Sequence, residues 1–277
     1  MTPFYAFLLG IIQGLTEFIP VSSTAHLLIT QTLLGLPADD AMFSFLVIVQ
    51  LGTLVSLFIF YWQDLLRITA AVLRYLGGVI RSRRVARPDV ETALGLYIIL
   101  ATLPALAAGY LLRDAVEALF RQPLLQASIR LFAAALLLTA AERFGSRRRS
   151  LADMTWQDAL VIGVFQVISV FPGASRSGTT ISGGMLRGLD RPAAARFAFL
   201  MSVPIMLAAG AFELLSVLKM PSLGVFLPSL TIGFVTAAVV GWLAIRWLIG
   251  YLGRHSLYAF AAYCAVLGLG MFIVYWM

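Results

Sequence analysis

The sequence predicts an all-α polytopic membrane protein with six transmembrane helices and two re-entrant helical hairpins, arranged as an inverted-topology repeat. Three observations predict it: a mean hydropathy of +0.94, apolar runs of membrane-spanning length, and two apolar regions broken midway by proline. Only 12% of the 277 residues are charged, whereas about 25% is typical of soluble domains. This composition excludes a soluble globular protein.

Six apolar runs are long enough for a helix to cross the roughly 30 Å hydrocarbon core of a bilayer. They are residues 42–61, 92–112, 124–141, 196–217, 226–248 and 256–276. No part of the sequence is typical of a separate soluble domain. We therefore expect a single integral membrane domain over residues 1–277.

Two further apolar regions, residues 4–35 and 156–188, are interrupted by Pro20 and by the Pro172-Gly173 pair. Small polar residues follow each break. Two half-helices that enter the membrane, turn and leave on the same side fit both regions. Irregular backbone at membrane depth is tolerated only where protein or a watery cavity shields its polar groups. The two breaks therefore predict a polar cavity.

The net charge of +7 comes from basic residues in the short loops between the predicted spans. If both hairpins are re-entrant, fifteen basic residues fall on one side and three, Arg113, Arg121 and Lys219, on the other. The positive-inside rule then places the first side in the cytoplasm and both termini outside. Because these charges orient the chain, we expect no nucleic-acid partner. The single cysteine, Cys264, excludes an intramolecular disulfide.

The two halves of the chain resemble each other at a spacing of 152 to 154 residues. The recurring pairs are Ala6 and Ala159, Gly10 and Gly163, Gln13 and Gln166, Pro20 and Pro172, Ser23 and Ser175, Phe43 and Phe197, Phe45 and Phe199, Leu46 and Leu200, and Val49 and Val203. We interpret the halves, about 1–141 and about 156–277, as copies of one hairpin plus three spans. Because three is odd, the second copy starts from the opposite face. In such folds the site lies near the membrane midplane, where the broken helices meet.

The first break carries acid, hydroxyl and imidazole side chains within the stretch GLTEFIPVSSTAH, residues 14–26. Gln13 and Glu17 are four positions apart, so they share one face of the helix that leads into the break. His26 follows Ser23 by three positions, about one helical turn. This spacing places a candidate base near a candidate nucleophile.

A new half-helix starts after each break, and its unpaired N–H groups and partial positive charge suit a phosphate group. The side chains that we expect at these two helix starts are Ser22, Ser23 and Thr24 in the first copy and Ser175, Arg176, Ser177 and Thr180 in the second. An arginine at membrane depth costs about 2.5 to 3.5 kcal/mol by insertion scales, so Arg176 requires an anionic partner. Glu17 and a substrate phosphate are the two candidates.

Structural alternatives apply to each of these residues. Glu17 and Arg176 alone would form an ion pair that only holds the two halves together. Hydroxyl side chains in membrane helices commonly bind a backbone carbonyl or a neighbouring helix. His26 by itself would more often be a packing residue, and its position beside Ser23 and Glu17 favours a functional role.

At these motifs the chain resembles the bacterial undecaprenyl pyrophosphate phosphatase family, which is also known for bacitracin resistance. The family has an E/Q-x-x-x-E element that leads into PVSST with a histidine, and a second motif, PGxSRSxxT. This chain has Gln13 and Glu17, PVSSTAH at residues 20–26 and PGASRSGTT at residues 172–180. The similarity covers essentially the whole chain.

The resemblance implies removal of the terminal phosphate from undecaprenyl diphosphate, a polyprenyl lipid, to regenerate the monophosphate carrier for peptidoglycan precursors. It implies a divalent cation, Mg²⁺ or Ca²⁺, and a reaction at the outer face of the bacterial plasma membrane. Ser23 would be the nucleophile, Arg176 would bind the diphosphate, and Glu17 and His26 would serve acid/base or metal roles. Gln13 would assist Glu17 at the cation. The residues that would assist substrate binding are Gln13, Ser22, Thr24, Ser175, Ser177 and Thr180.

The chain departs from the family at three positions. Gln13 stands where other members carry glutamate, and an acid is frequent at the positions of Leu46 and Arg196. These differences put the metal site in question more than the fold. A transporter or flippase for polyprenyl phosphate or another anion stays open as the alternative function, because inverted repeats with broken helices are typical of transporters. The sequence leaves a homodimer open.

Overall fold

The structure is a computed structural model that describes residues 2–37, 39–82, 87–111, 123–169, 175–218 and 223–277. Within these ranges the chain forms eleven α-helices and one turn of 3₁₀-helix at Leu151–Asp153, with no strand. The α-helices are α1 (Pro3–Phe18), α2 (Ser23–Leu33), α3 (Asp40–Phe60), α4 (Trp62–Ser82), α5 (Val90–Leu111), α6 (Pro123–Phe144), α7 (Trp156–Ile168), α8 (Arg176–Leu186), α9 (Arg191–Leu218), α10 (Leu223–Leu252) and α11 (Tyr258–Trp276).

Six of the described helices are long and apolar enough to cross a membrane: α3, α5, α6, α9, α10 and α11. They coincide with the six predicted spans, so the prediction of a multi-pass helical membrane protein is confirmed. Helix α9 begins at Arg191, five residues before the predicted boundary. It starts early because the Asp190 carboxylate accepts a hydrogen bond from the backbone N–H of Ala193 at 2.7 Å, which caps the first turn.

Two apolar helices are too short to span the membrane. Helix α1 has 16 residues and α7 has 13, which correspond to about 24 and 20 Å at 1.5 Å per residue. Helix α1 ends at Phe18, two residues before Pro20, as the proline predicts. The Pro172-Gly173 pair lies outside the described residues, and helices end and begin on either side of it.

Each of these short helices packs against a span from the other half of the chain, α1 against α10 and α7 against α5. Glycine permits both contacts. A Cβ atom added to Gly10 would lie 2.7 Å from the Gly233 carbonyl oxygen, and one added to Gly163 would lie 2.6 Å from that of Ala101. Small residues let helix backbones approach closely in membrane proteins. The two halves therefore interlock.

Helix α4 is a strongly amphipathic helix that the sequence analysis did not assign. Ile68 and Val72 are buried, whereas Leu73 is exposed, and Arg67, Arg74 and Arg81 recur every seven residues. Helix α4 packs against α5. Its charges keep it below the hydropathy of a span, and the seven-residue arginine spacing is the signal that identifies it as a helix.

Three carboxylates near the ends of these helices each bind two arginines. The sets are Asp64 with Arg67 and Arg196, Glu142 with Arg147 and Arg191, and Asp158 with Arg149 and Arg187. A cavity of about 1100 Å³ lies at this end and is lined by Asp64, Arg196, Ser150 and Asp190 among others. We call this part of the molecule the arginine-rich end.

Candidate active site

The carboxylate of Glu17 lies at the centre of the candidate site. Glu17 occupies the last turn of α1, and its residue is only 7% exposed. Its Oε2 atom accepts hydrogen bonds from Gln13 Nε2 and from Ser23 Oγ, both at 2.8 Å. Gln13 and Glu17 share one helix face, as their spacing predicts, and the break at Pro20 turns the chain so that Ser23 returns to Glu17.

Arg176 reaches the same carboxylate from the other half of the chain. Its Nη2 atom donates to Glu17 Oε1, although the two residues are 159 positions apart. The side chains of Arg176 and Glu17 are 19% and 5% exposed, so the ion pair is largely shielded. The structure thus brings together four predicted site residues, Gln13, Glu17, Ser23 and Arg176, and gives Arg176 the partner that its position requires.

Two half-helices begin beside this ion pair, and a serine caps each one. Ser22 adopts a left-handed conformation with φ of 68°, and its hydroxyl accepts from the N–H of Ala25 at 3.4 Å. Ser175 Oγ accepts from the N–H of Gly178 at 3.2 Å. A Cβ atom added to Gly178 would lie 3.8 Å from Pro20 Cβ, so the start of α8 is close to the first break. The partial positive charges of two helix starts therefore add to that of Arg176.

The remaining predicted hydroxyls support this arrangement in different ways. Ser177 Oγ lies 3.0 Å from Ser175 Oγ. Thr180 Oγ1 donates to the backbone carbonyl of Arg176 at 2.7 Å, which is the structural role considered for such residues. Thr24 is half-buried in the first turn of α2. Ser175 and Ser177 flank Arg176, whereas the Thr180 hydroxyl steadies the backbone that carries it.

His26 makes hydrogen bonds with both ring nitrogens. Nδ1 lies 2.9 Å from the Ser22 carbonyl oxygen, and Nε2 lies 2.7 Å from the Tyr263 hydroxyl oxygen. The Ser23 hydroxyl donates to Glu17. Glu17 is therefore the group placed to accept the Ser23 proton. Tyr263 was not predicted from the sequence. The one feature that could have indicated it is a hydroxyl-bearing side chain within an apolar span.

The three departures from the family pattern have distinct surroundings. Gln13 donates to Glu17, a bond that a glutamate could not make when ionised. Leu46 packs against a hydrophobic cluster that contains Phe45. Arg196 binds Asp64 at 2.8 Å and lines the cavity at the arginine-rich end. Arg196 and Leu46 therefore do not contribute to the group around Glu17.

The described residues contain no cluster of three histidine, cysteine, aspartate or glutamate side chains that could hold a metal ion. The site offers one carboxylate, Glu17, and the amide oxygen of Gln13. Mg²⁺ is usually bound through one or two carboxylates together with substrate phosphates. This donor set fits a cation that arrives with a diphosphate and not one held by the protein alone.

Comparison with known proteins gives a consistent result along nearly the whole chain. The sequence model of the bacitracin resistance protein BacA family matches residues 6–270. An undecaprenyl-diphosphatase of Anaeromyxobacter sp. (strain K) is 46% identical over 262 residues, 93% of this chain and 86% of the relative. An undecaprenyl-diphosphatase of Desulforudis audaxviator (strain MP104C) is 39% identical over 274 residues, 99% of this chain and 98% of the relative.

The range matched by the family model contains both helix breaks and the residues around Glu17. The resemblance inferred from the two short motifs is therefore confirmed over the full fold. The chain belongs to the bacitracin resistance protein BacA family.

Proposed function

We propose that this chain is an undecaprenyl-diphosphatase, which hydrolyses undecaprenyl diphosphate to undecaprenyl phosphate and inorganic phosphate. The reaction would recycle the lipid carrier for peptidoglycan synthesis. The relatives with this name support the assignment. The observation that carries it is the Glu17 carboxylate, which binds a hydroxyl from one broken helix and a guanidinium from the other.

Ser23 is the proposed nucleophile. As its Oγ atom bonds to the terminal phosphorus, its proton passes to Glu17, and the bond from that phosphorus to the bridging oxygen breaks. Undecaprenyl phosphate leaves, and water then hydrolyses the phosphoserine to release inorganic phosphate. A water molecule oriented by Ser23 and deprotonated by Glu17 would give the same products in one step. Both routes need the hydrogen bond of 2.8 Å between Ser23 and Glu17.

Arg176 and the two helix starts supply positive charge for the diphosphate. Phosphoryl transfer depends mainly on positioning and on neutralising charge on the equatorial oxygens. Arginine has five N–H donors in a planar fork, and one of them binds Glu17 here. Its other donors can bind phosphate oxygens in a bidentate manner. Ser175 and Ser177 flank the guanidinium and are proposed to bind the same phosphates, with Ser22, Thr24 and Thr180 shaping the helix starts.

A divalent cation, Mg²⁺ or Ca²⁺, is part of the proposal. Glu17, with Gln13, would hold it together with the substrate phosphates. When bound, the cation would neutralise phosphate charge. Glu17 would then have both a cation and Ser23 as neighbours, which fits its position at the centre of the site.

We also propose that both broken regions are re-entrant hairpins in an inverted repeat. For the second region, Asp158 in the first turn of α7 binds Arg187, which follows the last turn of α8, at 2.7 Å. The start and end of this helix pair are therefore adjacent, as a hairpin requires. The corresponding glycines Gly10 and Gly163 make equivalent close contacts with spans of the opposite halves, which supports the repeat.

The proposed orientation places the arginine-rich end in the cytoplasm, with both termini and the active-site opening on the periplasmic side. The three carboxylate clusters support the placement of these arginines on one side of the membrane, because they join arginines that the positive-inside count also assigns to one side. Single cysteines introduced into a Cys264→Ser background test the orientation. In spheroplasts, an impermeant maleimide should label Met277→Cys and spare Arg148→Cys, since both positions are exposed in the structure. The reverse pattern would contradict this orientation.

Purified protein in detergent should release inorganic phosphate from undecaprenyl diphosphate, and EDTA should abolish the release. Undecaprenyl phosphate serves as the matched control and should release none. Protein that binds the diphosphate without hydrolysing it would refute the phosphatase and favour the carrier alternative. Release that persists in EDTA would remove the cation from the proposal and leave the phosphatase intact.

A further inference from the structure

We infer that Tyr263 is a positioning residue of the active site, which fixes the tautomer and orientation of His26. The inference rests on the proposed phosphatase function and deepens it. No sequence motif includes Tyr263, which lies 237 residues after His26 and within the last span, α11. Its role follows from the hydrogen bonds of a single imidazole ring.

The two partners of the His26 ring define its tautomer. The Ser22 carbonyl oxygen, 2.9 Å from Nδ1, can only accept a hydrogen bond, so Nδ1 carries the proton. In the neutral ring Nε2 is then an acceptor. The Tyr263 hydroxyl, 2.7 Å from Nε2, donates to it. The two rings are nearly parallel, with an interplanar angle of 8° and centroids 5.7 Å apart.

Packing alone would not require Tyr263 to hydrogen-bond to His26 in this geometry. The Tyr263 ring is 47% exposed, so it contributes little to the protein core. It lies in the second turn of α11. A phenol hydroxyl that enters a membrane span needs a hydrogen-bond partner, because lipid offers none. His26 is that partner, and the contact links α11 to the half-helix that carries Ser23.

The bond also separates the roles of His26 and Glu17. Ser23 donates to Glu17, while the lone pair of His26 Nε2 points to Tyr263. A phenol hydroxyl donates to the neutral imidazole and can accept from the protonated one, so Tyr263 remains a partner in both states. His26 therefore keeps one orientation while a proton comes or goes. Phenylalanine at this position would remove that partner and keep the ring.

Nitrogen NMR can test the geometry directly, because the chain contains only two histidines. In [¹⁵N]histidine-labelled protein, the His26 Nε2 resonance should have the shift of an unprotonated nitrogen that accepts a hydrogen bond. Tyr263→Phe should move it towards the value of a nitrogen without a donor. Tyr258→Phe, on the same helix at the arginine-rich end, is the matched control and should leave the Nε2 resonance of His26 unchanged. The His255 signal, from a ring stacked on Tyr251, serves as the internal reference.

Kinetics test whether the bond matters for the reaction. If His26 has the acid/base role that the family resemblance implies, Tyr263→Phe should lower kcat about tenfold with KM unchanged, a part of the 10²- to 10⁴-fold that acid/base catalysis contributes. In a His26→Gln background the same change should have no further effect, because Tyr263 acts only through His26. Tyr258→Phe should retain wild-type kcat.

The outcomes separate this inference from the proposed function. An unchanged Nε2 resonance in Tyr263→Phe would overturn the inference, whatever the kinetics. A shifted resonance with wild-type kcat, or an equal loss of activity in the His26→Gln background, would also overturn it. Absence of phosphate release by the wild-type protein would refute the phosphatase itself, and the positioning role with it, while the NMR result would still report whether the bond exists.

Discussion

Two buried carboxylates have opposite surroundings: Glu17, beside the first helix break, and Asp158, at the arginine-rich end of the helix that leads to the second break. Asp158 accepts hydrogen bonds from Arg149, Arg187 and both the N–H and hydroxyl of Thr155. Among the described residues, Glu17 accepts only from side chains, those of Gln13, Ser23 and Arg176. Asp158 closes a capping box with the backbone N–H and hydroxyl of Thr155, whereas no backbone group is among these partners of Glu17.

The difference indicates which carboxylate is structural and which is chemical. Burial raises the pKa of Asp158, but hydrogen bonds from Arg149 and Arg187 outweigh it and hold that pKa well below its usual range. Asp158 is therefore ionised at neutral pH, and it joins the start of α7 to the end of α8. Every described partner of Glu17 is a side-chain donor that could bind a substrate oxygen instead, which would leave the Glu17 carboxylate available for a reaction.

Removing the groups around Glu17 should have the largest effect on activity. Ser23→Ala and Arg176→Ala should each reduce phosphate release by at least about 10³-fold, as losses of a nucleophile or an arginine clamp do. Thr16→Ala and Arg143→Ala are the matched controls, because the Thr16 hydroxyl donates to the Ile12 carbonyl within its own helix and Arg143 is exposed. Arg176→Lys keeps the charge but should be nearly as inactive as Arg176→Ala, because lysine lacks the planar set of N–H donors that binds phosphate in a bidentate manner.

Folding is monitored with a thiol-reactive dye, because the only cysteine, Cys264, is buried and becomes reactive on unfolding. A variant of Ser23 or Arg176 with wild-type turnover would remove that residue from the mechanism. If an alanine variant melts at a lower temperature than the wild type, Arg176→Lys or Ser23→Gly takes its place at the respective position. The comparison then remains between folded proteins.

Changing Asp158 should affect stability and spare the chemistry. Asp158→Asn keeps the shape of the side chain but removes the charge that two arginines share, which should cost about 2 kcal/mol. We expect a lower melting temperature and near-wild-type phosphate release from the molecules that remain folded. Asp153→Asn, at an exposed neighbouring site, keeps an oxygen that can accept from the Ser150 N–H and should change the melting temperature little. Loss of turnover without loss of stability would reverse the distinction between the two carboxylates.

Stability should depend on pH through the same group. Because the pKa of folded Asp158 is depressed, its contribution is complete above its unfolded pKa, near 3.8, and is lost as the pH falls below that value. Between pH 7 and about 4.5, Asp158 should therefore cause no change in the melting temperature. Below about pH 4, the melting temperature of the wild type should fall more steeply than that of Asp158→Asn. Parallel melting curves for the two proteins over this range would contradict the assignment.

Gln13→Glu should have the smallest effect and would sharpen the description of Glu17. The second carboxylate loses the hydrogen bond to Glu17 and repels it, so we expect about 1 kcal/mol less stability without added cation. It also adds an oxygen ligand, so phosphate release should reach half its maximum at a lower Mg²⁺ concentration. An unchanged Mg²⁺ dependence would separate Gln13 from the cation.

Features whose signal lies along the chain are predictable from the sequence. The six spans follow from runs of apolar residues, and Pro20 ends a helix by its own covalent geometry. Glu17 was one of two candidate partners predicted for Arg176, because charges are costly at membrane depth and few are present there. Helix α4 was missed because its arginines lower its hydropathy, although its period was visible in the sequence.

The sequence by itself thus determined the membrane class, the family and the polar residues from which the site is built. Only the tertiary structure decided how they pair: Ser23 with Glu17, His26 with Tyr263, and Arg196 with Asp64. Hydropathy and steric restrictions act on neighbouring residues and can be read locally. A hydrogen bond depends on a distance of about 3 Å between atoms, and packing of distant helices sets that distance.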